Sequence, residues 1–83
     1  MRMKTFHLTV SKVGENLFDG EALSATLPGT EGVFQVLASH EAFISELQTG
    51  EMHVTGADNQ QHHFSLPTGG LAEVSHNQAT VLL

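Results

Sequence analysis

Turn-forming residues recur so closely along this chain that helices of ordinary length do not fit between most of them. Eight glycines and two prolines are spread at short intervals from Gly14 to Gly70, and each such residue inside a helix costs about 1 kcal/mol for glycine and about 3 kcal/mol for proline. Short strands fit the gaps. Thr5 to Val10 alternates, with Phe6, Leu8 and Val10 on one face and Thr5, His7 and Thr9 on the other, as a half-buried strand requires. Gly14-Glu15-Asn16 reads as a turn, and after Leu17-Phe18 the pair Asp19-Gly20 reads as a tight turn or a bulge. Ala22 to Leu27 follows, with Leu23, Ala25 and Leu27 on a common face. Pro28-Gly29 closes it, because Pro presets φ at the first central turn position and Gly accepts a positive φ at the second.

Further strands are expected at Val33 to Leu37, Phe43 to Leu47, Met52 to Thr55, His62 to Leu66, Leu71 to Val74 and Ala79 to Leu83. Between them lie Gln48-Thr49-Gly50, the polar run Gly56 to Gln61, Pro67 to Gly70 and Ser75 to Gln78. The window Ser39 to Gln48 lacks Gly and Pro and admits a short helix as the minority reading, but a capping box would need Glu or Gln where Ala42 stands. The expectation is an all-β fold: a flattened barrel or sandwich of two antiparallel sheets with about eight to ten short strands.

Size and charge bound the function. The 83 residues, 1–83, make a single domain, and area scaling gives roughly 12,900 Å² unfolded against about 4,800 Å² folded, so stability is expected to be modest. No cysteine is present, which removes disulfides and thiolate chemistry and suits a reducing setting. A net charge of -6, with Arg2, Lys4 and Lys12 as the only Lys or Arg residues, is the wrong sign for a phosphate backbone or an anionic bilayer. Nucleic acid is excluded as a partner, and the short apolar runs predict no membrane insertion except through a partner.

Chemical motifs are sparse. Gly69-Gly70 is followed by Leu71-Ala72-Glu73 rather than by Lys and Ser or Thr, so it reads as a turn and not a phosphate loop. Six histidines raise the question of a metal, as in a small cupin-like β-barrel, where His-x-His points both imidazoles inward. His62-His63 has the wrong spacing, because neighbours in a strand face opposite ways, so at most one of them meets His53 or His76. Scattered surface histidines and no metal site are expected. Ser39, His40 and Glu41 carry the atom types of hydrolytic catalysis, but consecutive residues rarely converge, and no catalytic residue is assigned. Asp19, Glu21 and Glu31 read as a solvated acidic rim.

The run Leu27-Pro28-Gly29-Thr30-Glu31-Gly32-Val33-Phe34 resembles the Leu-Pro-Gly-x-x-Gly-x-Phe signature of the epsilon subunit of the F-type ATP synthase. The likeness is collinear over essentially the whole chain. It takes in Met3-Lys4-Thr5-Phe6-His7-Leu8, then Leu17-Phe18 with Gly20, then Val36-Leu37 with the loop residue His40. It continues through Thr68-Gly69-Gly70-Leu71-Ala72-Glu73-Val74, and Asn77 to Leu82 matches the family's final strand. One stretch departs from the pattern. Phe34-Gln35-Val36-Leu37-Ala38-Ser39-His40-Glu41-Ala42 stands where the family usually reads Phe-Gly-Val-Leu-Pro-Gly-His-Ala-Pro, so the loop around His40 is expected to differ in shape.

The resemblance implies a β-sandwich and a non-catalytic rotor role without a cofactor. It implies docking on the gamma subunit and on the c-subunit ring, peripheral to the cytoplasmic face of the inner (plasma) membrane. By position, Glu31, Gly32, Val33, His40 and Glu41 match the ring-facing edge, and Ser11 and Lys12 match a region close to gamma. Most family members continue into a carboxy-terminal helical hairpin, which in some binds ATP, whereas this sequence ends at Leu83. No ATP affinity is therefore expected of it. Calorimetric titration is the check, and saturable binding at micromolar ATP would contradict the expectation.

Overall fold

Period-two alternation becomes architecture once a single strand is long enough to serve two layers. A computed structural model describes residues 4–39 and 41–83, in which eight strands and no helix occur. They are β1 (Phe6–Lys12), β2 (Glu15–Gly29), β3 (Gly32–Leu37), β4 (Phe43–Leu47), β5 (Gly50–Gly56), β6 (Gln61–Leu66), β7 (Gly70–Ser75) and β8 (Gln78–Leu82). The strand order is β1-β8-β7-β4-β2-β5-β6, with β3 on β2 and β1 also paired to β2. The first part of β2 runs beside β1, from Lys12↔Glu15 to Phe6↔Ala22. Its last part carries β3 and β5. A sandwich results in which both layers share β2.

The inward set is what alternation predicts. Phe6, Leu8 and Val10 of β1 join Ala25 and Leu27 of β2, Met52 and Val54 of β5, and Leu66, Val74 and Val81 in one buried cluster. Among the described residues no polar or charged side chain is buried. Each fully buried aliphatic or aromatic side chain contributes about 1.5–3 kcal/mol, so the apolar interior is the main stabilising term. The pairings among the described residues are antiparallel except β1 with β8, which is parallel and runs from His7↔Gln78 to Ser11↔Leu82. The exposed surface of 5165 Å² exceeds the about 4,800 Å² of the scaling law. The excess fits an elongated body of 39 × 24 × 19 Å.

Three local expectations are corrected. Asp19-Gly20 is not a turn; it lies inside β2, opposite Thr9 and Leu8. Pro28 and Gly29 are still in the ladder, opposite Val33 and Gly32, and the turn is Thr30-Glu31, two residues later. Gly29 is required by crowding and not by a positive φ, because a Cβ there would sit 2.7 Å from the Gly32 carbonyl oxygen and 2.9 Å from the Phe34 ring. Leu23 does not share a face with Ala25 and Leu27. The β2–β5 register passes from Ala22↔Gly56 to Ser24↔Thr55, which leaves Leu23 as an extra, half-buried residue and switches the inward parity from Ala22 to Ala25. Within the window that admitted a short helix, Phe43–Leu47 forms β4, since β7 offers it a full ladder, and the described residues of the window contain no helix.

Two glycines with the same backbone angle test the packing argument. Gly14 and Gly69 both have φ of 77°, but a Cβ on Gly14 would meet nothing within 4 Å, whereas one on Gly69 would collide with the Leu47 carbonyl. Gly14→Ala is expected to cost about 1 kcal/mol, the left-handed strain alone. Gly69→Ala is expected to cost about 3 kcal/mol or more, because overpacking against backbone adds to the strain. Urea unfolding of the two variants checks the difference.

Candidate functional site

The β2–β3 turn and the start of β4 face each other across an open groove of about 850 Å³. It forms because β3 pairs only with β2, while β4 meets β2 at the single pair Gly29↔Leu47. Phe34 and Phe43 meet edge-to-face at 5.3 Å and join the lining to the core. Val33 is 71 % exposed and Ile44 66 % exposed, so the walls are apolar and open to solvent. Glu31, Glu41 and Glu46 supply acidic groups along it. Backbone bonds from Thr30 N–H to the Glu46 carbonyl (3.0 Å) and from Gln48 N–H to the Pro28 carbonyl (2.8 Å) hold its base.

Four of the five residues expected at one contact edge, Glu31, Gly32, Val33 and Glu41, line this groove together. The fifth, His40, lies outside the described residues. Sequence reading missed the β4 wall, Ile44 and Glu46, because only the pairing of β4 with β7 sets it opposite β3. It also missed what fixes Ser39 in the loop before it. Ser39 takes a left-handed φ of 65°, held by its N–H donating to Asn77 Oδ1 at 2.7 Å. Its hydroxyl also points to Asn77 Oδ1, at 3.5 Å, a contact with none of the base character a nucleophile needs.

Ser11 and Lys12 lie elsewhere, at the far end of β2. Lys12 Nζ is 3.4 Å from Glu15 Oε1, across the β1–β2 turn. Ser11 pairs with Leu82, and its carbonyl accepts the Leu83 N–H at 2.9 Å. Leu82 pairs in turn with Leu71 on β7. These two leucines are 50 % and 38 % exposed, so an apolar strip lies beside Ser11 on the outer face. The groove and this strip differ in chemistry but adjoin: the strip runs from Leu82 beside Ser11, near the start of β2, to Leu71, whose β4 partner Glu46 lines the groove.

The histidines separate by face as expected, but two of them are not scattered. His62 turns inward against Phe18, with ring centroids 5.1 Å apart. His63 turns outward and lies directly opposite His53 in the β5–β6 ladder, their rings edge-to-face at 4.5 Å. Glu51 Oε1 reaches His53 Nε2 at 3.4 Å and His63 Nδ1 at 3.8 Å. A third histidine, His7, stands between two acids: its Nε2 is 2.5 Å from Asp19 Oδ1 and its Nδ1 is 3.2 Å from Glu21 Oε2. Both ring nitrogens donate only in the protonated imidazole, so hydrogen bonds to Asp19 and Glu21 raise the His7 pKa above its ordinary 6.5. The Thr5 hydroxyl, donating at 2.8 Å, together with His7, lowers that of Glu21 below 4.5.

Residues 5–83, nearly all of the chain, match the family described as ATP synthase, Delta/Epsilon chain, beta-sandwich domain. The chain belongs to that family. It is similar to ATP synthase epsilon chains of Protochlamydia amoebophila (36 % identical over 93 % of this chain and 52 % of the relative) and of a Bradyrhizobium strain (40 %, over 96 % and 58 %). It thus spans a little over half the length of those two relatives. Against the epsilon chain of Chlorobium limicola it is 32 % identical, over 95 % of this chain and 89 % of the relative.

Among solved structures, a chain of the Euglena gracilis mitochondrial ATP synthase (OSCP/F1/c-ring) superposes with a TM-score of 0.86 at 22 % identity, over 94 % of this chain and 49 % of that one. One from the Tetrahymena thermophila enzyme (central stalk and c-ring) gives 0.77 at 17 %, over 99 % and 65 %. These two show the shared fold. The family match decides against a cupin-like barrel.

The His7 network carries a pH signature within the delta/epsilon sandwich. A raised His7 pKa contributes stability that is complete below about pH 6.5 and is lost as pH rises through the raised value. A lowered Glu21 pKa contributes stability present above about pH 4.5 and lost as pH falls through the lowered value. Their joint contribution is therefore largest between those two native values. In thermal unfolding, His7→Gln is expected to lower the midpoint more at about pH 6 than at about pH 9; an equal loss at both would exclude the charged pairing.

Proposed function

We propose that this chain is the β-sandwich unit of the epsilon chain of a proton-translocating F-type ATP synthase. In this reading it is a non-catalytic rotor piece that docks on gamma and on the c-subunit ring through different surfaces, coupling ion flow to ATP synthesis. The observation that carries the reading is the family match over residues 5–83, supported by two exposed zones of different chemistry, an apolar strip beside Ser11 and an acid-rimmed groove at the end of β2. A spacer that transmits torque needs two surfaces and a stiff connection between them, and the β8–β7–β4 ladder between strip and groove supplies one. The Leu71–Leu82 strip beside Ser11 and Lys12 is the gamma side, because a durable mechanical contact needs an apolar centre. The groove with Glu31, Gly32, Val33 and Glu41, and with His40 of the same loop, is the ring side, where acids orient a polar or basic partner more than they bind it.

No helix among the described residues is long and apolar enough to cross a membrane. The position proposed is peripheral, on the cytoplasmic face of the inner membrane, held through these partners. Leu82→Glu is expected to weaken capture by the gamma polypeptide at least about tenfold, as burial of a charge in an interface centre costs more than about 1.4 kcal/mol. Val33→Glu is expected to leave gamma binding intact while reducing ATP-driven proton pumping in the assembled enzyme. Binding assays on folded variants and pumping assays in membranes check both, and unchanged gamma binding by Leu82→Glu would remove the assignment of that strip.

A further inference from the structure

The outer face of the β5–β6 hairpin carries a side-chain group that a rotor role does not use. Alternation puts Glu51 and His53 on the same face of β5, and the ladder sets His63 of β6 directly opposite His53. One carboxylate oxygen, Glu51 Oε1, lies between the two imidazoles, 3.4 Å from His53 Nε2 and 3.8 Å from His63 Nδ1. The three donor atoms all fall within 4.8 Å of one another. We infer that Glu51, His53 and His63 form a surface binding site for a divalent first-row transition ion of the Zn²⁺ or Cu²⁺ type, a function independent of the stalk reading.

Donor chemistry and spacing carry the assignment. Two imidazoles and one carboxylate suit borderline ions such as Zn²⁺ and Cu²⁺, whereas Ca²⁺ and Mg²⁺ prefer all-oxygen shells. Metal–ligand bonds of about 2.0–2.2 Å at tetrahedral or octahedral angles place donor atoms roughly 2.9–3.5 Å apart. The Glu51–His53 pair already has that separation, and small side-chain rotations bring in His63. The hairpin fixes all three backbone positions, so binding orders only side chains. The His7 group makes the contrast: its two carboxylates address opposite ring nitrogens, Nε2 and Nδ1, and cannot share one ion with the imidazole. At the hairpin the donors converge, and because all three residues are exposed the remaining coordination positions go to water. The net charge of -6 favours a cation further.

Titration of the full 83-residue chain with Zn²⁺ by calorimetry, and with Cu²⁺ by NMR line broadening of the imidazole protons, tests the site. One-to-one saturation is expected, with Cu²⁺ tighter than Zn²⁺ and broadening centred on His53 and His63. His63→Ala and His53→Ala, both exposed positions that leave the core intact, are each expected to weaken binding by more than the roughly tenfold that an outer-shell change already costs. Glu51→Gln should weaken it too. Absence of saturable binding, affinity unaltered in both histidine variants, or broadening centred on His7, His40 or His76 would each overturn the proposal.

Discussion

The fold depends on β2 staying in register with several partners at once. A strand has two edges and two faces, and fifteen residues of one strand here supply ladders to β1, β3, β4 and β5. One uninterrupted parity could not serve them all. An inward face suited to the β1 side is turned away from the core on the β3 side once the strand bends between layers. The extra residue at Leu23 resolves the conflict by shifting the pattern by one, so that Ala22 before it and Ala25 after it both point inward. A second irregularity, where the pairing passes from Val10↔Phe18 to Ser11↔Asn16, adjusts the start of the strand in the same way at Leu17. Bulges of this kind raise local twist, and twist lets one strand pass between two stacked layers.

Most of the strand pattern is legible in the sequence because burial acts on every second side chain and leaves its mark in hydropathy. The hydropathy of Phe43 to Leu47 marks the observed limits of β4, and that of β1, β5, β6, β7 and β8 marks theirs to within two residues at each end. The failures share one cause. Asp19-Gly20 and Pro28-Gly29 are strong local turn signals, yet local preferences amount to about 1 kcal/mol, less than the ladder hydrogen bonds and core burial that a continuing strand provides. Gly20 is not required by packing, since a Cβ there would make only ordinary contact with the Phe18 ring at 3.9 Å; the ladder with β1 carries the strand through it. Gly29 is needed for close approach of the returning chain. Both residues read as turn markers in one dimension, but in three dimensions neither turns the chain and, of the two, Gly29 is the one that packing requires.

The candidate surfaces are legible to different depths. Glu31, Gly32 and Val33 are contiguous, so a turn signature suffices to single them out, while Ile44 and Glu46 reach the same groove only through the β4–β7 pairing. The outer-face group at Glu51 is out of reach for a related reason. Its spacing is Glu-x-His on one strand and a single His across a hairpin, and the cross-strand partner depends on a register set by the turn after Gly56, where the Asn59 N–H donates to the Gly56 carbonyl at 2.9 Å. A shift of one residue would put His62 opposite His53 and turn His63 into the aromatic cluster with Phe18 and Phe64.

Surfaces that differ chemically also protect orientation. The strip of Leu71 and Leu82 is apolar and borders the groove at Glu46, the ladder partner of Leu71, whereas the groove itself places apolar Val33 and Ile44 among Glu31, Glu41 and Glu46. A partner with a dry apolar patch would strand those carboxylates if it docked at the groove, and leaving a charge desolvated without a partner costs several kcal/mol. A basic or polar partner gains nothing from the leucine strip. Discrimination of this kind works by penalising the wrong pairing more than by strengthening the right one. It suits a small domain whose few cations, Arg2, Lys4 and Lys12, leave it little scope for attractive ion pairs.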